Sequence, residues 1–458
     1  MSRVQPARRV ALDVLRAVSD DDAYSNLLLP SRIARARLDA ADAGLATELT
    51  YGTLRLQGYY DLVIAIAARR PVSKIDPALL DVLRLGVHQL LSTRVATHAA
   101  VDESVELARE VGSRSGTGFV NGVLRTVSRT EPGVWRERVL EGARGADEAL
   151  AAEWSHPAWV VRAFRQALTA EGRGDELVEL LEADNRAPRV SLVALPGLAE
   201  VSELGGAGGV LSPVAATSGG GDPASHPAVR DGRARVQDEG SQMAALLLSR
   251  HRPIADGERW LDMCAGPGGK AALLGAEAAG GGARLLANEL VPARAGLVRQ
   301  ALESVPGGVQ VVEGDATRFG AEQPEAFDRI LLDAPCTGLG ALRRRPEARW
   351  RKQPRDVGEL TALQARLFAS AIDALAPGGV LAYVTCSPHV AETRAIVETG
   401  VRGRDDLTVV DATASAETIV GAPVDLGSAP YVQLWPHRHG TDAMFVALVE
   451  KRRRPSQS

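Results

Sequence analysis

Leu261-Asp262-Met263-Cys264-Ala265-Gly266-Pro267-Gly268-Gly269-Lys270 reads as the end of a strand, a glycine turn and the start of a helix. Glycines let the backbone approach a ligand closely at the positive end of a helix. Three loop mechanisms compete for the run. A phosphate-binding Walker loop needs Gly where Cys264 stands and Ser or Thr where Ala271 stands, so it fails. The dinucleotide fingerprint is met only loosely. A loop for S-adenosylmethionine must approach a zwitterion and a ribose rather than phosphates, and it tolerates the proline.

Moving outward, short β-branched or leucine-rich runs alternate with helical ones from Gly240 onward. Strands are predicted at 259–263, 284–288, 309–313, 328–332, 380–385 and 444–449, with helices such as 292–303 and 359–375 between them. This alternation predicts a doubly wound, mostly parallel sheet, whose ligands bind at the carboxyl ends of its strands. Acidic residues stand at those ends. Glu289 suits ribose hydroxyls, Asp315 an adenine amine, and Asp333 a substrate ring. One such carboxylate is often only a helix cap; three in consecutive units are more specific.

Cys336, in Asp333-Ala334-Pro335-Cys336, and Cys386, in Thr385-Cys386-Ser387-Pro388, fall on the same predicted rim. Alone, a cysteine is more often a small buried hydrophobe. Two beside a cofactor loop suit another chemistry. A thiolate adding to C6 of cytosine makes C5 nucleophilic enough to take a methyl group, after which a base removes the C5 proton and the thiolate leaves. Asp333 would hold N3 and the exocyclic amine.

These runs resemble the signatures of the Sun/NOL-type RNA cytosine-5 methyltransferases. Val236-Gln237-Asp238-Glu239-Gly240-Ser241-Gln242 and Pro436-His437-Arg438-His439-Gly440-Thr441-Asp442 are similar to that family as well. The resemblance covers about 186–450. It implies Cys386 as nucleophile, Cys336 in product release, and Asp333 and Lys270 in the catalytic group. It also implies S-adenosylmethionine as cofactor, held by Cys264, Ala265, Gly266, Pro267, Gly268, Gly269, Lys270, Glu289, Arg294, Asp315 and Asp333. Departures are small: Gly266 where Ala is common, Ala271 for Thr, Thr337 for Ser.

Residues 5 to about 130 read as helical, with apolar stripes at Val10, Val14, Leu15 and Val18, from Leu79 to Leu91, and from Phe119 to Val127. Ala23-Tyr24-Ser25-Asn26-Leu27, Glu48–Arg55 and Phe119–Arg125 resemble the NusB fold. Fused to such a catalytic domain, this resembles the bacterial 16S rRNA cytosine-5 methyltransferases. The chain is therefore expected to be multidomain: an all-α NusB-like domain (1–135), a helical connector (136–185), a small α/β module with a floppy Gly/Pro-rich loop (186–236), and an α/β Rossmann-like class I methyltransferase domain with a seven-stranded, mostly parallel sheet (237–452).

Net charge is only -4, so RNA must meet a local patch rather than a polycation. Arg343, Arg344, Arg345, Arg349 and Arg351, with Trp350 interleaved, are the candidate; the alternative is a solvated arginine-rich loop. Among rivals, an amino-methylating enzyme would want an Asn/Asp-Pro-Pro-aromatic motif. A DNA cytosine methyltransferase would place its nucleophile at a Pro-Cys such as Pro335-Cys336, but Cys386 and the helical domain argue against it. A non-catalytic ribosome-assembly factor would not need Cys386, Asp333 and Lys270. His437 and His439, without a cysteine cluster, predict no metal. Three separated cysteines and no apolar leader or 18-residue apolar run predict a cytoplasmic setting. RNA, as 16S rRNA, is the expected partner, with no DNA or membrane partner and a monomeric state.

Overall fold

Side chains alternate along the central strands, and that alternation builds the α/β part of the molecule. In the computed structural model, which describes residues 4–112 and 114–453, Trp260 faces one apolar layer and Leu261 the other. Val380, Ala382 and Val384 likewise face one layer, Leu381 and Tyr383 the opposite one. Strands buried on both faces need helices on both sides. The helices Glu239–Arg250 and Gly269–Gly280 cover the first face, and Pro354–Ala374 covers the second. Residues 1–3, where the stretch read as lacking an apolar leader begins, lie outside the described residues.

Two compact units result. The first comprises residues 1–165, 176–187 and 342–351; the second comprises 166–175, 188–341 and 352–458. The expected connector is thus divided between them. The first unit is helical. It includes Pro6–Asp20, Ser25–Ala36, Ala40–Arg55, Gln57–Ala68, Pro77–Ser92, Thr97–Val111 and Arg114–Ser128. Val10, Val14, Leu15, Val18, Leu83, Val87, Val120, Leu124 and Val127 are buried in one core. Asp39 and Asp76 cap their helices by accepting backbone N–H groups.

In the second unit, β1 (Ser191–Ala194), β2 (Ala215–Thr217) and β3 (Ala234–Val236) form an antiparallel sheet in the order β2-β1-β3. The stretch expected to be a floppy loop is folded in part, into β2 and short helical turns at Val201–Leu204, Pro223–Ser225 and Pro227–Arg230. The large sheet contains β4 (Arg259–Asp262), β5 (Arg284–Glu289), β6 (Gln310–Glu313), β7 (Phe327–Asp333), β8 (Leu375–Thr385), β9 (Leu407–Val410), β10 (Val432–Gln433) and β11 (Phe445–Lys451). Its order is β10-β11-β8-β7-β4-β5-β6, with β9 also on β11. The run β8-β7-β4-β5-β6 is parallel, while β9, β10 and β11 pair antiparallel. The sheet has eight strands, not the expected seven. β10 has only two residues, and β9 pairs at the edge on β11. No helix among the described residues is long and apolar enough to cross a membrane.

The chain turns from β4 outward to β5 on one side and to β7 on the other. That reversal opens a crevice at the carboxyl ends of β4 and β7, and there the candidate residues gather.

Candidate active site

The loop after β4 is held by its own sequence. Ala265 N–H donates to Asn288 O (2.8 Å) and Gly268 N–H to Ala265 O (2.7 Å). Gly268 has φ +107°, and a Cβ there would lie 2.4 Å from that of Ala301, so the turn requires glycine. Glu289, buried at the end of β5, accepts Gly266 N–H (3.0 Å) and Val291 N–H (3.0 Å). Arg294 Nη2 donates to Gly266 O (2.7 Å) and lies 3.4 Å from Glu289. Glu289 and Arg294 therefore brace the loop from the side. Asp315 is exposed and caps the turn Ala316–Arg318, and bonds from Thr317 hold its carboxyl below the usual range.

Two buried groups bordering this loop have unmatched polar atoms: Asn288 Oδ1 and the whole Gln237 amide. Gln237 Nε2 lies 3.7 Å from where a Gly269 Cβ would sit. Buried polar atoms normally find partners, so the pocket's chemistry fits a polar, hydrogen-bonding cofactor such as S-adenosylmethionine at the head of a helix.

Across the crevice, Lys270 Nζ pairs with Asp333 Oδ2 at 2.9 Å and reaches Ser241 Oγ at 3.4 Å. Burial alone would lower the lysine, but the charge of Asp333 and its hydrogen bond raise it overall, so Lys270 is an ammonium. Asp262, at the end of β4, is 1% exposed and neither of its carboxyl oxygens has a hydrogen-bond partner. Burial, reinforced by Asp333, pushes its carboxyl up to about 8.

Because β7 and β8 are neighbours, the loops after them run side by side. Ala334 N–H donates to Val384 O (2.9 Å) and Gly340 N–H to Cys386 O (2.8 Å). A Cβ on Gly340 would lie 2.0 Å from Ala443 O; only glycine permits that approach. The result is a Cys336 Sγ–Cys386 Sγ separation of 3.4 Å. The Cys336 thiol donating to Cys386 lowers Cys386 below an ordinary thiol; burial and Asp333 oppose this, and Lys270 assists it. The same bond raises Cys336. Cys264 is different: burial pushes its thiol well up, so it remains a neutral loop residue.

The arginine-rich segment needs correction. Residues 342–351 pack in the helical unit. Arg349 is fully buried and donates to Arg55 O (2.9 Å), Ser155 O (3.1 Å), Asn185 Oδ1 (2.7 Å) and Asp184 O (2.7 Å). Burial pushes it down to about 10, still cationic at neutral pH. Arg343 is buried and its carbonyl accepts Arg55. Arg351 donates to Val18 O and Ala23 O, and its guanidinium lies over the Tyr24 ring. Guanidinium groups spent on carbonyls are not offered to phosphates. Arg344 is half-buried. Arg345 is exposed with its guanidinium 5.9 Å from the Tyr24 centroid, and Trp350 is 37% exposed.

His439 Nδ1 accepts Trp435 N–H and its Nε2 donates to Asp425 O, so it organises a turn. Sequence reasoning missed Ser241 on Lys270, the burial of Asp262, and Glu392. For Glu392 the signal was an acidic residue closely following Cys386 beyond a strand end.

Comparison with known proteins places these features. Residues 252–450 match the family model described as 16S rRNA methyltransferase RsmB/F, and residues 5–129 match the NusB family. A putative methyltransferase of Mycobacterium tuberculosis strain H37Rv is 47% identical, over 98% of this chain and 97% of its own length. The probable ribosomal RNA small subunit methyltransferase B of Bacillus subtilis is 30% identical, over 97% of this chain and 98% of its own. The solved structure of PH0851 shares the fold with TM-score 0.81 at 23% identity, covering 98% of this chain and 99% of that one.

Proposed function

The chain belongs to the 16S rRNA methyltransferase RsmB/F family and is an S-adenosylmethionine-dependent RNA methyltransferase with a NusB-family domain, and from this we propose that it methylates C5 of a cytosine in 16S rRNA through a covalent bond from Cys386. The observation that carries the reading is the pair of sulfurs 3.4 Å apart on the rim that also holds Lys270 and Asp333.

Bound S-adenosylmethionine supplies an electrophilic methyl group. The chain's residues do the rest. Cys386, the more acidic thiol, bonds C6 as a thiolate, which turns C5 into a nucleophile. Asp333 accepts the exocyclic N–H and, when N3 is protonated, the N3–H, and Lys270 fixes its carboxylate while adding positive charge beside Cys386. After methyl transfer a base removes the C5 proton and Cys386 leaves as a thiolate, which the Cys336 thiol 3.4 Å away assists by donating to it. Glu289, Arg294 and the 264–270 loop hold the cofactor. Asp315 sits at the end of β6 for the adenine. The target base must leave its stack to reach the crevice. RNA contacts are assigned to Arg344, Arg345 and Trp350 within the segment, not to Arg343, Arg349 or Arg351.

The test is Cys386→Ala assayed for methyl incorporation into rRNA together with cofactor binding. Methylation should vanish, with S-adenosylmethionine affinity within about twofold of wild type. A variant that still methylates, or that loses only cofactor affinity, removes Cys386 from the nucleophile role.

A further inference from the structure

Both cysteine loops end on one carboxylate that the proposed reaction does not touch. Glu392 is 0% exposed, in the turn Val390–Glu392. Its Oε1 accepts the backbone N–H of Thr337 (2.8 Å) and Gln364 Nε2 (3.3 Å). Its Oε2 accepts the Thr337 hydroxyl and the Ser387 hydroxyl (2.7 Å). Thr337 directly follows Cys336, and Ser387 directly follows Cys386. The frame closes elsewhere too. Gln364 Nε2 donates to Pro335 O (2.8 Å), Thr385 Oγ1 to Ser387 O (2.9 Å), and Tyr383 OH to Glu392 O (2.7 Å).

A buried carboxylate is costly, and well-packed apolar residues often serve stability as well or better. This one is surrounded by donors drawn from both loops and contacts neither sulfur within hydrogen-bonding range. Such a satisfied network rigidifies what it joins. Its position gives it one geometric consequence: it fixes the residue after each cysteine relative to the other.

We propose that Glu392 is a positioning residue that sets the separation of the Cys336 and Cys386 thiols, and thereby the state of the nucleophile and the release of product. This rests on the cytosine-5 reading above. Without Glu392 the two loops keep the Gly340–Cys386 backbone bond and the direct Thr337–Ser387 hydroxyl contact (3.0 Å). They lose the carboxylate that locks both hydroxyls and the Thr337 N–H. The thiols then drift, Cys386 loses the thiol that donates to it, and its thiolate is disfavoured. Glu392→Gln keeps a carbonyl oxygen for the Thr337 N–H, and the two hydroxyls can rotate to accept its amide, so it retains part of the frame.

The experiment measures iodoacetamide alkylation of Cys386 against pH in the full chain, with the modified peptide identified by mass spectrometry. Wild type, Glu392→Ala, Glu392→Gln and the milder Ser387→Ala are compared. The Cys386 midpoint should move up by about one pH unit in Glu392→Ala, which is about a tenfold slower reaction at neutral pH. Glu392→Gln and Ser387→Ala should shift it less, and kcat should fall in the same order with KM for S-adenosylmethionine nearly constant. Unchanged Cys386 midpoints in the variants that fold would overturn the proposal. The alkylation profile needs neither RNA nor methyl transfer. A failure of the cytosine-5 reading would show separately, as full methylation by Cys386→Ala.

Discussion

In the proposed reaction two sulfur atoms, one ammonium and one carboxylate carry the chemistry, and the thiols and the ammonium are tuned by what lies next to them. Cys386 is made more acidic by Cys336, with Lys270 assisting, and Lys270 is kept charged by Asp333. Asp262 shows the opposite effect of burial: its raised carboxyl holds a proton in the folded chain. An aspartate in the unfolded chain titrates near ~3.9; the folded one titrates at about 8. Between those values the folded state binds the extra proton, so wild-type stability falls as pH rises. Asparagine has no such dependence. Urea unfolding at about pH 5 and pH 8 should show the stability difference moving in favour of Asp262→Asn at the higher pH. An equal difference at both would mean that Asp262 is not protonated in the fold. At this scale the sequence foretold the placement of Cys336, Cys386, Asp333, Lys270 and Glu289 at strand ends and in the loop after β4, where the structure has them. It did not disclose the buried state of Asp262 or the partners of Glu392, because these depend on contacts that only tertiary structure supplies.

Strands and helices were legible where the sequence pattern was periodic or leucine-rich. β4, β5, β6, β7, β8 and β11 all lie on runs of alternating or leucine-rich residues, whereas β9 and β10 form because β11 offers them a backbone to pair with. Arg343, Arg349 and Arg351 of the arginine-rich segment were misread because their surroundings are not legible in sequence. A guanidinium that holds carbonyls inside a fold and one that meets phosphate look alike in sequence. Arg349→Met should leave the carbonyls of Arg55, Ser155 and Asp184 and the Asn185 side chain without a buried donor. A loss of about 3 kcal/mol or more is expected from such orphaned acceptors, read as a lower midpoint in urea unfolding. The salt dependence of RNA binding should keep its slope, since no phosphate contact is lost. A stable variant with a flatter slope would return Arg349 to the RNA surface.

At the scale of the molecule, a helical NusB-family unit and an α/β unit share one chain. Each was recognisable from its own pattern: helical stripes before residue 130, and alternation after residue 240. The boundaries were less legible, because residues 342–351 leave the catalytic sequence and fold with the helices. The α/β unit brings distant cysteine loops together through the adjacency of β7 and β8, and the proposed reaction depends on that juxtaposition. The most direct measurement uses Cys336→Ala, incubated with S-adenosylmethionine and 16S rRNA, then resolved on a denaturing gel with nuclease digestion and peptide mass spectrometry. A slow-migrating species should accumulate, carrying a methylated cytidine remnant on the Cys386 peptide. If methylation proceeds and no adduct forms on Cys386, in this variant or in wild type under turnover, the covalent account is contradicted.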